Sequence, residues 1–177
     1  MWLASTSTLV GCLVTSEVYD NPRPERGDTV SLLTDPVPVN YVVDGDTIDV
    51  AFNGTNERIR FKGIDTPELH PQPDGSLPEP FAEEAKDFVL LNIGTEVDLE
   101  FDSTCPQPPE TECRDSTPSR RLLAYIRITN GADLGAMLLE QGLARVFIYA
   151  GEPFDRMLEY QAIEQQARDV GRGIWGP

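Results

Sequence analysis

The chain has 177 residues, of which 40% are hydrophobic, and it carries 30 acidic against 14 basic side chains, for a formal charge of −16. This length supports one hydrophobic core of ordinary size, so we expect a single domain with a tail. The charge argues against a protein that holds nucleic acid through a broad basic surface, because such binding relies on many Lys and Arg side chains.

Arginine supplies most of the positive charge, since Lys62 and Lys86 are the only lysines. An acidic excess with so little lysine is typical of proteins adapted to high salt, and it is equally typical of an acidic surface that keeps an ordinary protein soluble. At about 1 M salt the Debye length is roughly 3 Å, so ligand binding would then depend on groups in direct contact.

The amino-terminal segment has the character of an export signal. Residues 1–12 are largely apolar and end in Leu9-Val10-Gly11-Cys12, which resembles the lipobox of prokaryotic lipoproteins. No Arg or Lys precedes the apolar run, as a signal normally requires, so lipidation at Cys12, a secretory signal and a frayed tail stay open. Residues 13–36 show little periodicity, which predicts a tether. We expect an extracytoplasmic protein, secreted or anchored to the outer face of the cell membrane.

The other two cysteines support this location. Cys105 and Cys113 bracket a Pro-rich segment and form an even pair if Cys12 is lipidated. A disulfide between them would close a loop of about nine residues and contribute roughly 2.5 kcal/mol in the chain-entropy model; two free thiols are the alternative. A zinc site is not expected, because the single histidine, His70, lies far away in the sequence.

Alternation of apolar and polar residues from residue 37 onward predicts a mainly β domain over 37–177. Strands are predicted over 39–43, 48–52, 58–64, 96–102, 122–128 and 145–149, with a hairpin at Asn53-Gly54. Helices are predicted over 80–91, 133–141 and 153–169, the second capped by Asp133. A small closed sheet with peripheral helices predicts an α+β fold, an OB-type five-stranded barrel with about three helices.

Five motifs occur in order along this domain: Asp44-Gly45-Asp46-Thr47, Ile59-Arg60-Phe61, Ile64-Asp65-Thr66-Pro67-Glu68, Arg121-Leu122-Leu123-Ala124-Tyr125 and Gln141-Gly142-Leu143-Ala144. The first four offer carboxylates for a hard cation and guanidinium groups for a phosphate. In order and spacing the motifs resemble the staphylococcal nuclease (thermonuclease) family, and Gly173-Ile174-Trp175 resembles its terminal motif. The resemblance covers residues 38–177.

The resemblance implies a role for each polar group of these motifs. The roles are Ca²⁺ binding by Asp46, Asp65 and the backbone carbonyl of Thr66, general-base catalysis by Glu68, and phosphate binding by Arg60 and Arg121. Oxygen ligands suit Ca²⁺, and few protein ligands leave room for waters and a substrate phosphate. Turn capping is the interpretation of Asp44 and the alternative for Asp46. The alternatives for the other groups are a surface acid for Glu68 and exposed ion pairs for the arginines.

The chain departs from the family just before Arg121. It has Pro118, Ser119 and Arg120 where the family type member has a basic residue and an aromatic. Arg120 can replace the missing base. The choice between Arg120 and Arg121 as the phosphate ligand depends on the alignment to Leu123-Ala124-Tyr125.

Two aromatic residues, Phe147 and Tyr149, fall where the family has rings that flank a nucleotide base. Stacking on such rings contributes about 1–3 kcal/mol per base and tolerates any sequence. Core packing is the alternative for Phe147.

The resemblance implies a calcium-dependent nuclease that cleaves DNA and RNA and leaves 3′-phosphate ends. We expect a monomer that prefers single strands. The alternatives are a catalytically silent nucleic-acid-binding OB module on the cell surface and a structural lipoprotein. Silent relatives lose charged site residues, and this chain retains all five: Asp46, Arg60, Asp65, Glu68 and Arg121.

Overall fold

The computed structural model describes residues 33–69 and 77–177. The predicted signal segment with Cys12, most of the predicted tether and His70 lie outside these residues. Thr34, within the predicted tether, donates its backbone N–H to the carbonyl of Leu99 at 3.0 Å, so ordered structure begins before residue 37. Among the helices of the described ranges, none combines the length and the apolar character needed to cross a membrane.

Five strands form a closed barrel, which confirms the predicted fold class. The strands β1 (Val37–Val42), β2 (Thr47–Phe52) and β3 (Thr55–Phe61) form an antiparallel meander, and β4 (Ile64–Asp65) follows outside the barrel. Strand β3 pairs in parallel with β6 (Leu122–Arg127), β6 pairs antiparallel with β5 (Glu96–Glu100), and β5 returns to β1. The alternating apolar side chains fill the interior, including the fully buried Ile48, Val50, Ile59, Leu99 and Leu122.

The hairpin between β2 and β3 turns at Asn53-Gly54, as predicted. Both residues have positive φ, 49° and 77°, the conformation that Asn and Gly tolerate best.

In the described part of the chain, four α-helices pack around the barrel: α1 (Ala82–Asn92), α2 (Pro109–Glu112), α3 (Leu134–Glu140) and α4 (Met157–Asp169). The Oδ1 atom of Asp133 accepts hydrogen bonds from the N–H groups of Gly135 and Ala136, which confirms the predicted cap of α3. The short helix α2 was not expected, because it lies in the Pro-rich segment between the cysteines.

The strand predicted over 145–149 is wrong beyond its first two residues. Only Arg145–Val146 pairs, as β7, with β4. The chain then makes a 3₁₀ turn over Tyr149–Gly151, where Ala150 has a φ of 50°, so the ladder cannot continue.

The motif Gln141-Gly142-Leu143-Ala144 meets the terminal Gly173-Ile174-Trp175 in a close backbone contact. A Cβ atom on Gly142 would lie 2.1 Å from the carbonyl oxygen of Arg172, and one on Gly173 would lie 2.2 Å from that of Gly142. The N–H of Ile174 donates to the carbonyl of Gly142 at 2.8 Å. Glycine at both positions therefore allows the chain end to dock behind α3.

We expect Gly142→Ala to lower the free energy of unfolding by at least about 3 kcal/mol, because the new methyl group overlaps the Arg172 carbonyl in addition to the cost of positive φ. Gly54→Ala is the matched control, since Gly54 also has positive φ but a Cβ atom added there would meet no other atom within 4 Å. The control should cost only about 1–2 kcal/mol in urea denaturation. Equal losses in the two variants would contradict the importance of this contact.

Candidate active site

The turn between β1 and β2 directs Asp46 into the molecule. The Oδ1 atom of Asp44 accepts a hydrogen bond from the N–H of Asp46 at 3.1 Å, an Asx turn that confirms the capping interpretation of Asp44. A Cβ atom on Gly45 would lie 2.8 Å from both the Ala85 methyl group and the Thr66 hydroxyl. Because Gly45 has no Cβ atom, the turn can lie close to α1. Asp46 then has only 1% of its surface exposed.

The buried Asp46 carboxylate is held from several sides. Its Oδ2 atom accepts hydrogen bonds from the N–H and the hydroxyl of Thr66 at 2.8 and 3.0 Å, and its Oδ1 atom accepts from the hydroxyl of Thr47 at 3.1 Å. Burial raises the pKa of Asp46 to about 7; Arg60 and the Thr66 N–H lower it, while Asp44 and Asp65 raise it. The site therefore favours a nearby positive charge.

The guanidinium of Arg60 lies between two carboxylates. Arg60 pairs with Thr47 across the β2–β3 ladder, and its Nη1 atom donates to Asp46. Its Nη2 atom donates to Oδ1 of Asp65 at 2.5 Å and to the Ile64 carbonyl at 3.3 Å. Burial lowers the pKa of Arg60, but the charges of Asp46 and Asp65 outweigh it and raise the pKa. Arg60 therefore remains a cation at the centre of the site.

The carboxylate oxygens of Asp46 and Asp65 suit a hard cation that is bound by few protein ligands. Within residues 33–69 and 77–177, no group of three or more His, Cys, Asp or Glu side chains could hold a metal ion. Only Asp46 and Asp65 converge here, and both offer oxygen atoms toward the same positive charge. An ion at this position would take its remaining ligands from backbone carbonyl, water and phosphate oxygens, an arrangement suited to Ca²⁺.

Glu68 lies at the rim of the same site, directly after Pro67. Its N–H donates to the Glu79 carboxylate at 3.2 Å, and its carbonyl accepts from the N–H of Glu79 at 2.9 Å. Burial raises the pKa of Glu68; Asp44, Asp65 and Glu79 raise it further, while Arg60 lowers it. A raised pKa makes this carboxylate a stronger proton acceptor.

The structure separates Arg121 from Arg120. Nη1 of Arg121 lies 3.5 Å from the hydroxyl of Thr47, which itself donates to Asp46. Arg121 is thus connected to Asp46 through Thr47, whereas Arg60 contacts Asp46 directly. Arg120 has a φ of 47°, and its carbonyl accepts from Nη1 of Arg114 at 2.8 Å. Arg121 is therefore the arginine of the two that lies next to Thr47 and the acidic centre; its role as the phosphate ligand stays a prediction.

A cleft of about 580 Å³ brings most of the predicted residues together. Asp46 and Thr66 lie buried beside it. The predicted residues that line it are Arg60, Asp65, Glu68, Arg120, Arg121, Phe147 and Tyr149. Their chemical roles stay predictions.

The two aromatic residues stand on the wall of the cleft. Phe147 is 46% exposed and Tyr149 57% exposed, so core packing, the alternative for Phe147, is wrong. Phe154 contributes the buried ring below them. The hydroxyl groups of Tyr149 and Ser116 lie 2.9 Å apart, which joins this wall to the segment 103–120.

The segment 103–120 forms another part of the cleft lining. Cys105 and Cys113 are joined by a disulfide with a Cα–Cα distance of 5.0 Å, and both line the cleft. Sequence reasoning missed Asp115 and Asp102, which anchor this segment. Asp102 directly precedes the segment and Asp115 lies within it, and no motif marks either residue.

Asp102 fixes the start of the segment to the barrel. Its carboxylate accepts hydrogen bonds from Tyr125, from the N–H and hydroxyl of Thr104, and from the N–H of Asp155. Burial acts to raise the pKa of Asp102, but the hydrogen bonds from Thr104, Tyr125 and Asp155 outweigh it, and the pKa lies below its ordinary value. The charged form therefore stabilises the fold.

The fold and the cleft define a class of protein: a small OB-type barrel with carboxylates and arginines in one cleft and a buried carboxylate beside it. The chain belongs to the staphylococcal nuclease family, because the family described as "Staphylococcal nuclease homologue" matches residues 58–177, more than half of the chain. This match confirms the resemblance inferred from the motifs.

Three relatives illustrate the family membership. SPbeta prophage-derived endonuclease YokF of Bacillus subtilis is 35% identical over 142 residues, which cover 78% of this chain and 43% of that protein. Endonuclease YncB of the same organism is 34% identical over 142 residues, covering 78% and 61%. Thermonuclease of Staphylococcus intermedius is 31% identical over 138 residues, covering 77% and 74%. The chain spans less than two thirds of the length of the two Bacillus proteins.

We expect Asp102→Asn to lower the free energy of unfolding by about 2 kcal/mol at pH 7, because the charged acceptor is lost. The pKa of Asp102 is lower in the folded state, so its contribution is present above about pH 4 and disappears as the pH falls through the folded-state pKa. The difference between wild type and variant should therefore shrink in acid, as measured by urea denaturation from pH 7 to pH 2.5. The control is Asp87→Asn, on the exposed face of α1, which should change the free energy of unfolding little at any pH. A difference that grows in acid would contradict this assignment.

Proposed function

We propose that this protein is a calcium-dependent nuclease that hydrolyses phosphodiester bonds in DNA and RNA. The observation that carries the proposal is the convergence of Asp65, Glu68 and two arginines on one cleft, with the buried Asp46 beside it. Two of the relatives are named as endonucleases and a third as a thermonuclease, which supports the same activity.

Asp46, Asp65 and the backbone carbonyl of Thr66 are the residues that would hold Ca²⁺. When bound, Ca²⁺ supplies charge neutralisation for the phosphate and lowers the pKa of an attacking water. The raised pKa of the buried Asp46, with Asp44 and Asp65 nearby, supports this assignment, because a cation relieves the cost of a buried negative charge.

Glu68 accepts a proton from the attacking water. The water oxygen forms a new bond to phosphorus while the bond from phosphorus to the 5′ oxygen breaks. The leaving alkoxide takes up a proton, and the products are a 5′-hydroxyl end and a 3′-phosphate end. A carboxylate whose pKa is raised by burial is suited to this role, because its basicity lies closer to neutral pH.

Arg60 and Arg121 bind the phosphate oxygens. Both side chains are permanently charged, and their planar forks match the geometry of two phosphate oxygens. Negative charge increases on these oxygens during attack, so guanidinium groups fixed at the site stabilise the transition state more than the ground state. Asp65 and Asp115 each hold one of the two arginines in the cleft.

The cleft supports a substrate class as well as a reaction. Its contacts are directed to phosphate and to base faces, so the sugar type would have little influence on cleavage. Phe147 and Tyr149 expose rings on which unpaired bases can stack, which favours single strands over duplexes.

We also propose an extracytoplasmic location. The disulfide between Cys105 and Cys113 suits an oxidising compartment, and Cys12 would provide a lipid anchor. The charge of −16 suits a saline medium, in which contact groups rather than the global field hold the substrate.

We expect the purified protein to cleave single-stranded DNA and RNA oligonucleotides in calcium and to lose this activity in chelator. Glu68→Gln should reduce the rate at least about 100-fold, because general-base catalysis contributes this much or more. Gel analysis of labelled products reports both the rate and the 3′-phosphate ends.

The matched control is Glu96→Gln, which removes the same charge from an exposed position on β5 and should leave the rate unchanged. If the wild type binds the oligonucleotide without cleaving it, the protein is a silent binding module. If Glu68→Gln cleaves like the control, Glu68 is not the base.

A further inference from the structure

The segment that precedes β6 forms a short hairpin with the start of that strand. The carbonyl of Cys113 accepts from the N–H of Leu123 at 2.7 Å, and the N–H of Asp115 donates to the carbonyl of Arg121 at 3.0 Å. Arg114 forms an antiparallel bridge with Leu122. Residues 113–115 therefore lie in register with Arg121–Leu123 through an isolated antiparallel bridge.

The hairpin is fastened at its base by two further connections. The disulfide joins Cys113 to Cys105, near the end of β5, and both cysteines are buried. Nη1 of Arg114 donates to the carboxylate of Glu57 on β3 at 2.7 Å. The disulfide to Cys105 and the contact of Arg114 with Glu57 on β3 therefore fix the position of Asp115 relative to the barrel.

Asp115 holds Arg121 at two points. Its Oδ2 atom accepts from Nε of Arg121 at 2.7 Å, and its Oδ1 atom accepts from the N–H of the same residue at 3.0 Å. Burial acts to raise the pKa of Asp115, but hydrogen bonds from Thr117 and Arg121 outweigh it and lower the pKa. One charged carboxylate therefore fixes both the backbone and the side chain of Arg121.

The contact with Asp115 leaves the outer edge of the guanidinium available for a ligand. Asp115 accepts the hydrogen bond from Nε, while the hydroxyl of Thr47 lies 3.5 Å from Nη1, at the outer limit of a hydrogen bond. The terminal nitrogens Nη1 and Nη2 can therefore contact two phosphate oxygens while Asp115 stays in place.

We propose that Asp115 is a positioning residue that orients Arg121 for phosphate binding, and that the Cys105–Cys113 disulfide holds Asp115 in register. The inference rests on the proposed nuclease function. It predicts that the disulfide serves the rate of cleavage as well as the stability of the fold, because a small displacement of a phosphate ligand slows the chemical step.

We expect Asp115→Asn to lower kcat on the order of 10-fold with less than a twofold change in KM, since a misplaced arginine loses contacts that matter most in the transition state. The control is Asp49→Asn. Asp49 accepts from Nε of Arg58 at 2.7 Å in the same type of pair, but it lies outside the cleft. The control should alter stability alone.

A double-mutant cycle tests whether Asp115 acts through Arg121. In an Arg121→Lys background, Asp115→Asn should have little further effect on kcat, because lysine has no Nε–H to donate to Asp115. Cys105→Ser combined with Cys113→Ser should reproduce the loss of Asp115→Asn, and adding Asp115→Asn to it should not deepen the loss. Multiplicative losses in either combination would overturn the proposal.

A nuclear magnetic resonance readout keeps this test separate from the proposed function. Asp115→Asn should shift the Nε–Hε cross-peak of Arg121 and leave that of Arg58 unchanged, with the reverse in Asp49→Asn. An unshifted Arg121 cross-peak overturns the positioning role whether or not the protein cleaves nucleic acid. A shifted cross-peak in a protein that cleaves nothing supports the orientation of Arg121 and refutes the nuclease assignment.

Discussion

The buried carboxylate of Asp46 is the constraint around which the site is built. It has 1% of its surface exposed, and this burial raises its pKa; Arg60 lowers the pKa, while Asp44 and Asp65 raise it further. Such a group is costly unless positive charge and hydrogen bonds surround it. Thr47, Thr66 and Arg60 supply these contacts, and they bring β2, β3 and β4 together at one end of the barrel. The same electrostatic need makes this position suitable for a bound cation.

The barrel is the rigid frame of the site, and the segment 103–120 adds residues to the lining of the cleft. Asp102, the disulfide and Asp115 hold this segment in place, so this part of the cleft lining is fixed at several points. Preorganisation of this kind matters because charged groups stabilise a transition state best when they need not move. The barrel and its motifs are therefore the parts that this chain shares with the family, and the segment 103–120 is the part that differs.

Much of this arrangement was predictable from the sequence because it is encoded locally. Residues of high β propensity and the alternation of apolar and polar residues predicted the barrel strands, Asn53-Gly54 predicted the hairpin, and Asp133 predicted the cap of α3. The contacts of Asp115 and Asp102 were not predictable, because each depends on a register or on partners distant in the chain. The end of β7 at Val146 was not predictable either, because an alternating apolar pattern does not indicate the positive φ of Ala150.

Isothermal titration of the metal-free protein with Ca²⁺ tests the cation site most directly. The convergence of Asp46 and Asp65 on one positive charge predicts a single site, whose binding heat is abolished by Asp46→Asn and retained by the exposed control Asp87→Asn. Absence of a binding heat, or a heat unchanged in Asp46→Asn, would contradict the assignment of these carboxylates to a metal.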